Sequence, residues 1–228
     1  YRQQLRHFVV SDLPENYTLS IVSPDDNCVP VSFKLEGSQP EAKYDLYFEY
    51  DGITQIAQPD VQGTGMTIYF NEQENAGNYY VVARIEYTEI TCEKQMSGII
   101  TVSPLPEEYD LVTNSNFCTG QDSICMINSD TNVVYQLYKG PVAYGAEIQG
   151  TGEELCFGTI SETGTYSILA KNIITLCERI FEQQVDVYPL PVKFSMSPDS
   201  ACSGAEILLN NCQENIDYYL YWQPDSQE

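Results

Sequence analysis

Gly77-Asn78-Tyr79-Tyr80-Val81-Val82-Ala83-Arg84-Ile85 reads as a strand with a tight turn fused to its front end. Apart from Val82, the run from Tyr80 to Ile85 alternates polar and apolar side chains, the period-2 signature of a half-buried strand. The glycine supplies permissive turn backbone, and the tyrosine two residues on can bond back to that turn. The same arrangement recurs at Gly164-Thr165-Tyr166-Ser167-Ile168-Leu169-Ala170. Other landmarks recur around it. Upstream lie Gln62-Gly63-Thr64-Gly65 and Gln149-Gly150-Thr151-Gly152. Further upstream, Tyr-x-Leu-Tyr occurs three times, starting at Tyr44, Tyr135 and Tyr218. Each copy follows a cysteine (Cys28, Cys118, Cys202) at offsets of 16, 17 and 16 residues (44−28, 135−118, 218−202). Downstream come Cys92 and Cys177, each 14 residues before a closing proline (106−92, 191−177). Those closings are Val102-Ser103-Pro104-Leu105-Pro106 and Val187-Tyr188-Pro189-Leu190-Pro191, with a degraded copy at Val10-Ser11-Asp12-Leu13-Pro14.

A fixed order of landmarks at fixed spacing marks a tandem repeat. The boundaries read as 1–14, the final strand of a preceding module; 15–106 and 107–191, two complete modules; and 192–228, the start of a further module. Turn signals every 8–12 residues bound short alternating runs such as Ser32-Phe33-Lys34-Leu35 and Thr67-Ile68-Tyr69-Phe70, and no window carries a helical period. About seven strands in ~85–90 residues is the size of an immunoglobulin-like β-sandwich. The expected fold is all-β: an elongated array of such modules, joined by stiff Pro-x-Pro junctions of almost no length. Gly77-x-Tyr79 and Gly164-x-Tyr166 would form tyrosine corners. Tyr44, Tyr135 and Tyr218 would fill the place of the strand-C tryptophan, provided each hydroxyl finds a partner.

The eight cysteines include no CxxC pair, and the sole histidine is His7, which argues against zinc and for disulfides formed in an oxidising compartment. With Cys28 and Cys118 placed at the start of strand B and Cys92 and Cys177 just past strand F, the expected bridges are Cys28–Cys92 and Cys118–Cys177. Loops of about 60 residues would each stabilise by roughly 4 kcal/mol. Cys125, near the far end of strand B, and Cys156, near the start of the adjacent strand E, make a third expected bridge. Cys202 and Cys212 are expected to pair beyond residue 228, or else with each other.

A net charge of −23 (10 Lys plus Arg against 33 Asp plus Glu) opposes nucleic acid and anionic lipid as partners. No apolar run approaches a membrane span, so direct membrane insertion is not expected, and the absent leader fits a piece of a longer secreted chain. One histidine leaves no Ser-His-Asp or Cys-His arrangement, and a thin sandwich rarely forms the cleft that a carboxylate pair needs, so the chain reads as no enzyme. The Gly-Thr-Gly turns lack the Lys-Ser/Thr of a phosphate loop. No cofactor is expected. Calcium has one weak candidate in the alternate oxygens of Asn128, Asp130 and Asn132, residues that equally suit an ordinary B–C loop, and a weaker one at Asp25-Asp26.

Cys-x-Gly (Cys118-Thr119-Gly120, Cys202-Ser203-Gly204), Tyr-x-Leu-Tyr, Thr163-Gly164-Thr165-Tyr166 and Pro-Leu-Pro together resemble the Ig-like/PKD-like repeats of very large type IX-secreted surface proteins of Bacteroidota, a group that includes gliding-motility adhesins. The resemblance covers the whole chain, although Cys28-Val29-Pro30 departs from Cys-x-Gly. It implies an extracellular filament anchored at the outer membrane, with adjacent modules as partners and O-glycosylation at Asp-Ser motifs. Ser200 fits best, and Ser123, inside a strand, less well. In such a bacterium the sequon Asn16-Tyr17-Thr18 goes unused. The expected function is a structural or adhesive spacer. The rivals are glycan-binding modules presenting Tyr47, Tyr80, Tyr138 and Tyr144, and accessory modules of a larger secreted enzyme.

Overall fold

The computed structural model describes residues 10–22, 27–112, 116–193, 195–197, 204 and 206–221. His7, Asp25-Asp26, Ser200 and Cys202 lie outside these residues. The first module holds β1 (Leu19–Ile21), β2 (Phe33–Leu35), β3 (Lys43–Tyr50), β4 (Ile53–Gln62), β5 (Ile68–Tyr69), β6 (Gly77–Glu86), β7 (Thr91–Gln95) and β8 (Ile100–Val102). One sheet runs β1-β2-β5; the other runs β4-β3-β6-β7, with β8 also on β6. Alternation selects the inner faces: Tyr79, Val81, Ala83 and Ile85 of β6 are buried, as are Phe33 and Leu35 of β2 and Tyr44 and Leu46 of β3. Both sheets turn these side chains into a single apolar core.

The second module repeats the plan with β9 (Asn116–Cys118), β10 (Ser123–Met126), β11 (Val133–Lys139), β12 (Val142–Gln149), β13 (Leu155–Thr159), β14 (Gly164–Asn172), β15 (Glu178–Ile180) and β16 (Val185–Tyr188). β10 pairs with β13, and β12-β11-β14-β16-β9 form the larger sheet, with β15 also on β14. Its core of Ile124, Met126, Tyr135, Leu137, Tyr166, Ile168, Phe181 and their neighbours is separate from the first. The chain is thus an all-β array of immunoglobulin-like sandwich modules, each with its own core. β17 (Ser195–Ser197) and β18 (Leu208–Asn210) pair antiparallel beyond them.

The last strand of each module is broken, a feature the alternation pattern does not reveal. β7 and β8 are separated at residues 96–99, and β15 and β16 at residues 181–184. At each break a large apolar side chain, Met96 or Phe181, dives into the core, and its backbone N–H still bonds β6 (to Val81 O, 2.8 Å) or β14 (to Ile168 O, 2.8 Å). A second departure concerns the first cysteine of each module. Cys28 and Cys118 do not open strand B. They lie on a preceding segment that has crossed to the other sheet and runs parallel to the last strand. Cys118 pairs with Tyr188 and Cys28 with Ser103. The bonds match across the repeat: Val29 N–H donates to Ser103 O (3.1 Å), and Thr119 N–H donates to Tyr188 O (2.9 Å).

Candidate functional site

The crossing segment carries its cysteine to the end of the module, beside the Pro-Leu-Pro junction. There Cys28 is bonded to Cys177 of the next module, with Cα atoms 5.7 Å apart and a sequence separation of 149. The expected within-module pairs Cys28–Cys92 and Cys118–Cys177 are therefore corrected. The reason is topological. A cysteine at the start of strand B would face its own F–G turn, whereas a cysteine on the crossing segment sits at the joint. Cys92 and Cys118 carry no bridge among the described residues, and both are half-buried. Cys125 and Cys156 are bonded to each other, opposite one another across β10 and β13, with Cα atoms 4.0 Å apart. Glu154 stands beside this pair, but sulfurs already joined to each other offer no thiolate to a metal. Both disulfides belong to a chain that folds in an oxidising, extracellular-type compartment. Cys212 is exposed.

The recurrent tyrosines do structural work. Tyr79 donates its hydroxyl to Asn75 O (2.7 Å) and Tyr166 to Glu162 O (2.8 Å), each four residues back, which makes two tyrosine corners. At Gly77 a Cβ would meet Phe48 Cε2 at 2.4 Å and Glu49 O at 2.7 Å, so the corner admits only glycine there. Tyr44, Tyr135 and Tyr218 instead accept a backbone N–H from five residues back: Gln39 (2.8 Å), Asp130 (2.9 Å) and Gln213 (2.8 Å). The first tyrosine of each Tyr-x-Leu-Tyr motif thus has a partner for its hydroxyl.

Burial pushes the phenols of Tyr44, Tyr79 and Tyr135 up, and burial followed by the nearby Tyr144 and Glu162 pushes Tyr166 up to about 12. The neutral phenol is the form that suits the fold, so the stability these four contribute is complete below the ordinary tyrosine value of 10.0 and is lost at higher pH, for Tyr166 as pH rises through about 12. In an alkaline ultraviolet titration, Tyr44, Tyr79, Tyr135 and Tyr166 are expected to ionise only together with loss of near-ultraviolet dichroism. Independent ionisation of all tyrosines near pH ~10 would contradict this assignment.

The Gln-Gly-Thr-Gly stretches are latches, and their partner is a serine that sequence reasoning missed. Ser38 and Ser129, each six residues before its core tyrosine (44−38, 135−129), are buried. Each serine Oγ accepts from a threonine N–H (Thr64, 2.9 Å; Thr151, 3.0 Å) and donates to a carbonyl (Met66, 2.6 Å; Glu153, 2.8 Å). The fixed six-residue spacing was the available signal. Cys212 holds the same place before Tyr218 (218−212=6). The first glycine of each latch lies against backbone: a Cβ at Gly150 would be 2.1 Å from Asp130 O, and at Gly63 1.8 Å from Gln39 O. Gly150→Ala is expected to lower the unfolding free energy of its module by about 1–3 kcal/mol, read by urea titration. A change within ~0.5 kcal/mol would show that the contact is dispensable.

Within the B–C loop, two of the three calcium candidates turn a side-chain oxygen to the protein itself. Asn128 Oδ1 accepts from Ser129 N–H (2.9 Å), and Asp130 Oδ1 from the Tyr109 hydroxyl (2.8 Å). Asn132 is exposed, and its carbonyl accepts from Ile173 N–H (2.9 Å). The loop is built as a B–C turn. Ser123 is a half-buried residue of β10, and its N–H bonds Asp122 Oδ1 (2.8 Å). The Asn16 side-chain amide is held by the Ser97 hydroxyl. Of the four tyrosines considered as glycan platforms, Tyr47 and Tyr80 stack on each other with centroids 5.3 Å apart at 5°. Tyr144 is committed elsewhere, edge-on to Tyr166 at 5.2 Å and hydrogen-bonded to Ser161 Oγ (3.2 Å). Tyr138 is half-buried on β11.

No protein-family profile matches the chain, and no curated protein matches it. Solved structures similar to it are also β modules. A two-domain fibronectin type III segment of chicken tenascin is 10% identical over 75% of this chain and 99% of that one, with a TM-score of 0.39. Fibronectin(III)-like modules of Clostridium thermocellum CbhA are 10% identical over 75% and 94%, with a TM-score of 0.30. The human OSCAR ligand-binding domain is 14% identical over 77% and 98%, with a TM-score of 0.27.

Proposed function

We propose that the chain is a stretch of an extracellular tandem array whose task is to hold successive sandwich modules in a set relation, as a structural or adhesive spacer. The observation that carries this reading is the Cys28–Cys177 bond across the junction. A bond between modules, added to a linker as short as Pro104-Leu105-Pro106, removes most of the freedom that a Pro-rich joint leaves. The finer reading is a cell-surface filament of the gliding-motility adhesin kind. In that reading the filament is exported by type IX secretion, glycosylated at Ser200 or Ser123 and anchored at the outer membrane. It is supported by the Cys-x-Gly, Tyr-x-Leu-Tyr and Pro-Leu-Pro motifs. The test is small-angle X-ray scattering of the oxidised protein and of the same sample after gentle reduction. The oxidised protein should give one narrow interparticle distance distribution and the reduced protein a broader one. Equal breadth in both would defeat the spacer reading.

The stacked Tyr47–Tyr80 pair favours a second reading, in which the outer face of β3 and β6 binds surface glycans. A polysaccharide screen should then show binding that Tyr80→Ala abolishes. Silence across the screen would leave the spacer reading alone.

A further inference from the structure

The Cys28–Cys177 bond joins two positions that the repeat duplicates. Cys28 is equivalent to Cys118, and Cys177 to Cys92. The duplicates are in the same surroundings. Cys118 stands beside Tyr188 as Cys28 stands beside Ser103, each on the crossing segment and each next to the residue before a Pro-Leu-Pro closing. Cys92 is placed from the other side. Its Sγ lies 3.9 Å from Ser11 O, and Ser11 is the Ser103 equivalent in the degraded closing Val10-Ser11-Asp12-Leu13-Pro14. The Tyr87 hydroxyl (3.1 Å to Asp12 O) and Lys94 Nζ (3.1 Å to Pro14 O) fasten that closing to the same hairpin. Cys92 thus waits where the crossing-segment cysteine of an upstream module would arrive. Cys118 is that cysteine for a downstream one.

We infer that the cysteines form a repeating ladder, each crossing-segment cysteine bonding to the F–G cysteine of the next module. Among the described residues, Cys92 and Cys118 are open rungs of this ladder. The inference rests on the tandem-array reading of the chain. Each rung forms when a thiolate attacks the mixed disulfide of its partner. One S–S bond is made and two S–H bonds are lost. The two electrons and two protons reduce the disulfide of a thiol–disulfide oxidoreductase to its dithiol. The same rule gives Cys202 a partner downstream of it and assigns none to Cys212, which occupies the latch-serine position.

The test is non-reducing peptide mapping of the full-length secreted protein, alkylated before digestion. The expected map holds Cys28–Cys177 and Cys125–Cys156, with Cys92 and Cys118 each bonded to a peptide from outside residues 15–191. A Cys92→Ser variant should then expose one new thiol per chain, located upstream of residue 15. Pairs Cys28–Cys92 with Cys118–Cys177, or a Cys92–Cys118 pair, would overturn the ladder. So would alkylated Cys92 and Cys118 beside an intact Cys28–Cys177, an outcome that leaves the array reading standing. Eight alkylated cysteines would overturn both, because they remove the oxidising compartment as well.

Discussion

Replacing Arg84 with leucine is expected to lower the unfolding free energy of the first module by about 3–5 kcal/mol, the range for breaking a buried ion pair from one side. Arg84 bonds Asp45 with one guanidinium nitrogen and Asp60 with the other, and its Nε lies 3.5 Å from Glu86 Oε1. The Asp45 side chain is 7% exposed, and Arg84's is 19% exposed, so solvent screens the pair little. Without the guanidinium, Asp45 keeps the Asp60 N–H (2.7 Å) as a partner for one oxygen, but its charge is stranded. The second module shows how to remove the problem. At the position of Asp45 it carries Gln136, whose amide donates to Leu137 O (2.9 Å) and Tyr144 O (3.0 Å). Asp45→Gln in the Arg84→Leu background should therefore restore most of the loss. Urea titrations of the two single variants and the double variant give the coupling energy. A coupling below ~0.5 kcal/mol would mean that the cluster acts as an ordinary surface network.

The second large effect is expected at Tyr135. Its ring is fully buried among the core side chains and meets Phe181 edge-on at 6.3 Å. Tyr135→Ala leaves a cavity of aromatic size and should cost about 3–5 kcal/mol. Tyr135→Phe keeps the ring and deletes only the acceptor for Asp130 N–H, so about 1–3 kcal/mol is expected. Tyr44→Phe should match it, because Gln39 N–H stands in the same relation to Tyr44. The discriminating comparison is Phe against Ala at both sites, followed by urea unfolding. Equal losses for Phe and Ala would place the whole effect in the hydroxyl and contradict the packing account.

The tyrosines were legible because they depend on local spacing. A hydroxyl reaching four or five residues back is fixed by the turn it closes, and the burial of Tyr79, Val81, Ala83 and Ile85 follows from period 2. The Cys125–Cys156 pairing followed from strands B and E being neighbours. Cys28 was misread because three residues decide which sheet it belongs to. Asn27, Cys28 and Val29 pair with Ser103 of the last strand, while the chain joins strand B only at β2. That choice depends on a long-range parallel pairing, which alternation does not encode. The broken last strand was hidden for a related reason. Met96 and Phe181 leave the strand to fill core volume, a demand set by the opposite sheet.

The bond from Cys28 to Cys177 also decides what tension can reach. When the chain is pulled from a point before Cys28 and a point after Cys177, the load crosses from one sulfur to the other and bypasses the chain between them, reaching the cores only through flanking residues such as Leu19 in one module and Phe181, Val185 and Val187 in the other. The chain between them, a separation of 149 residues and about 500 Å when extended at ~3.3–3.6 Å per residue, is withheld from stretching. Only chain outside that span can pay out. Under oxidising conditions the two modules would lengthen like a rivet plate, and after reduction like a pair of unspooling coils.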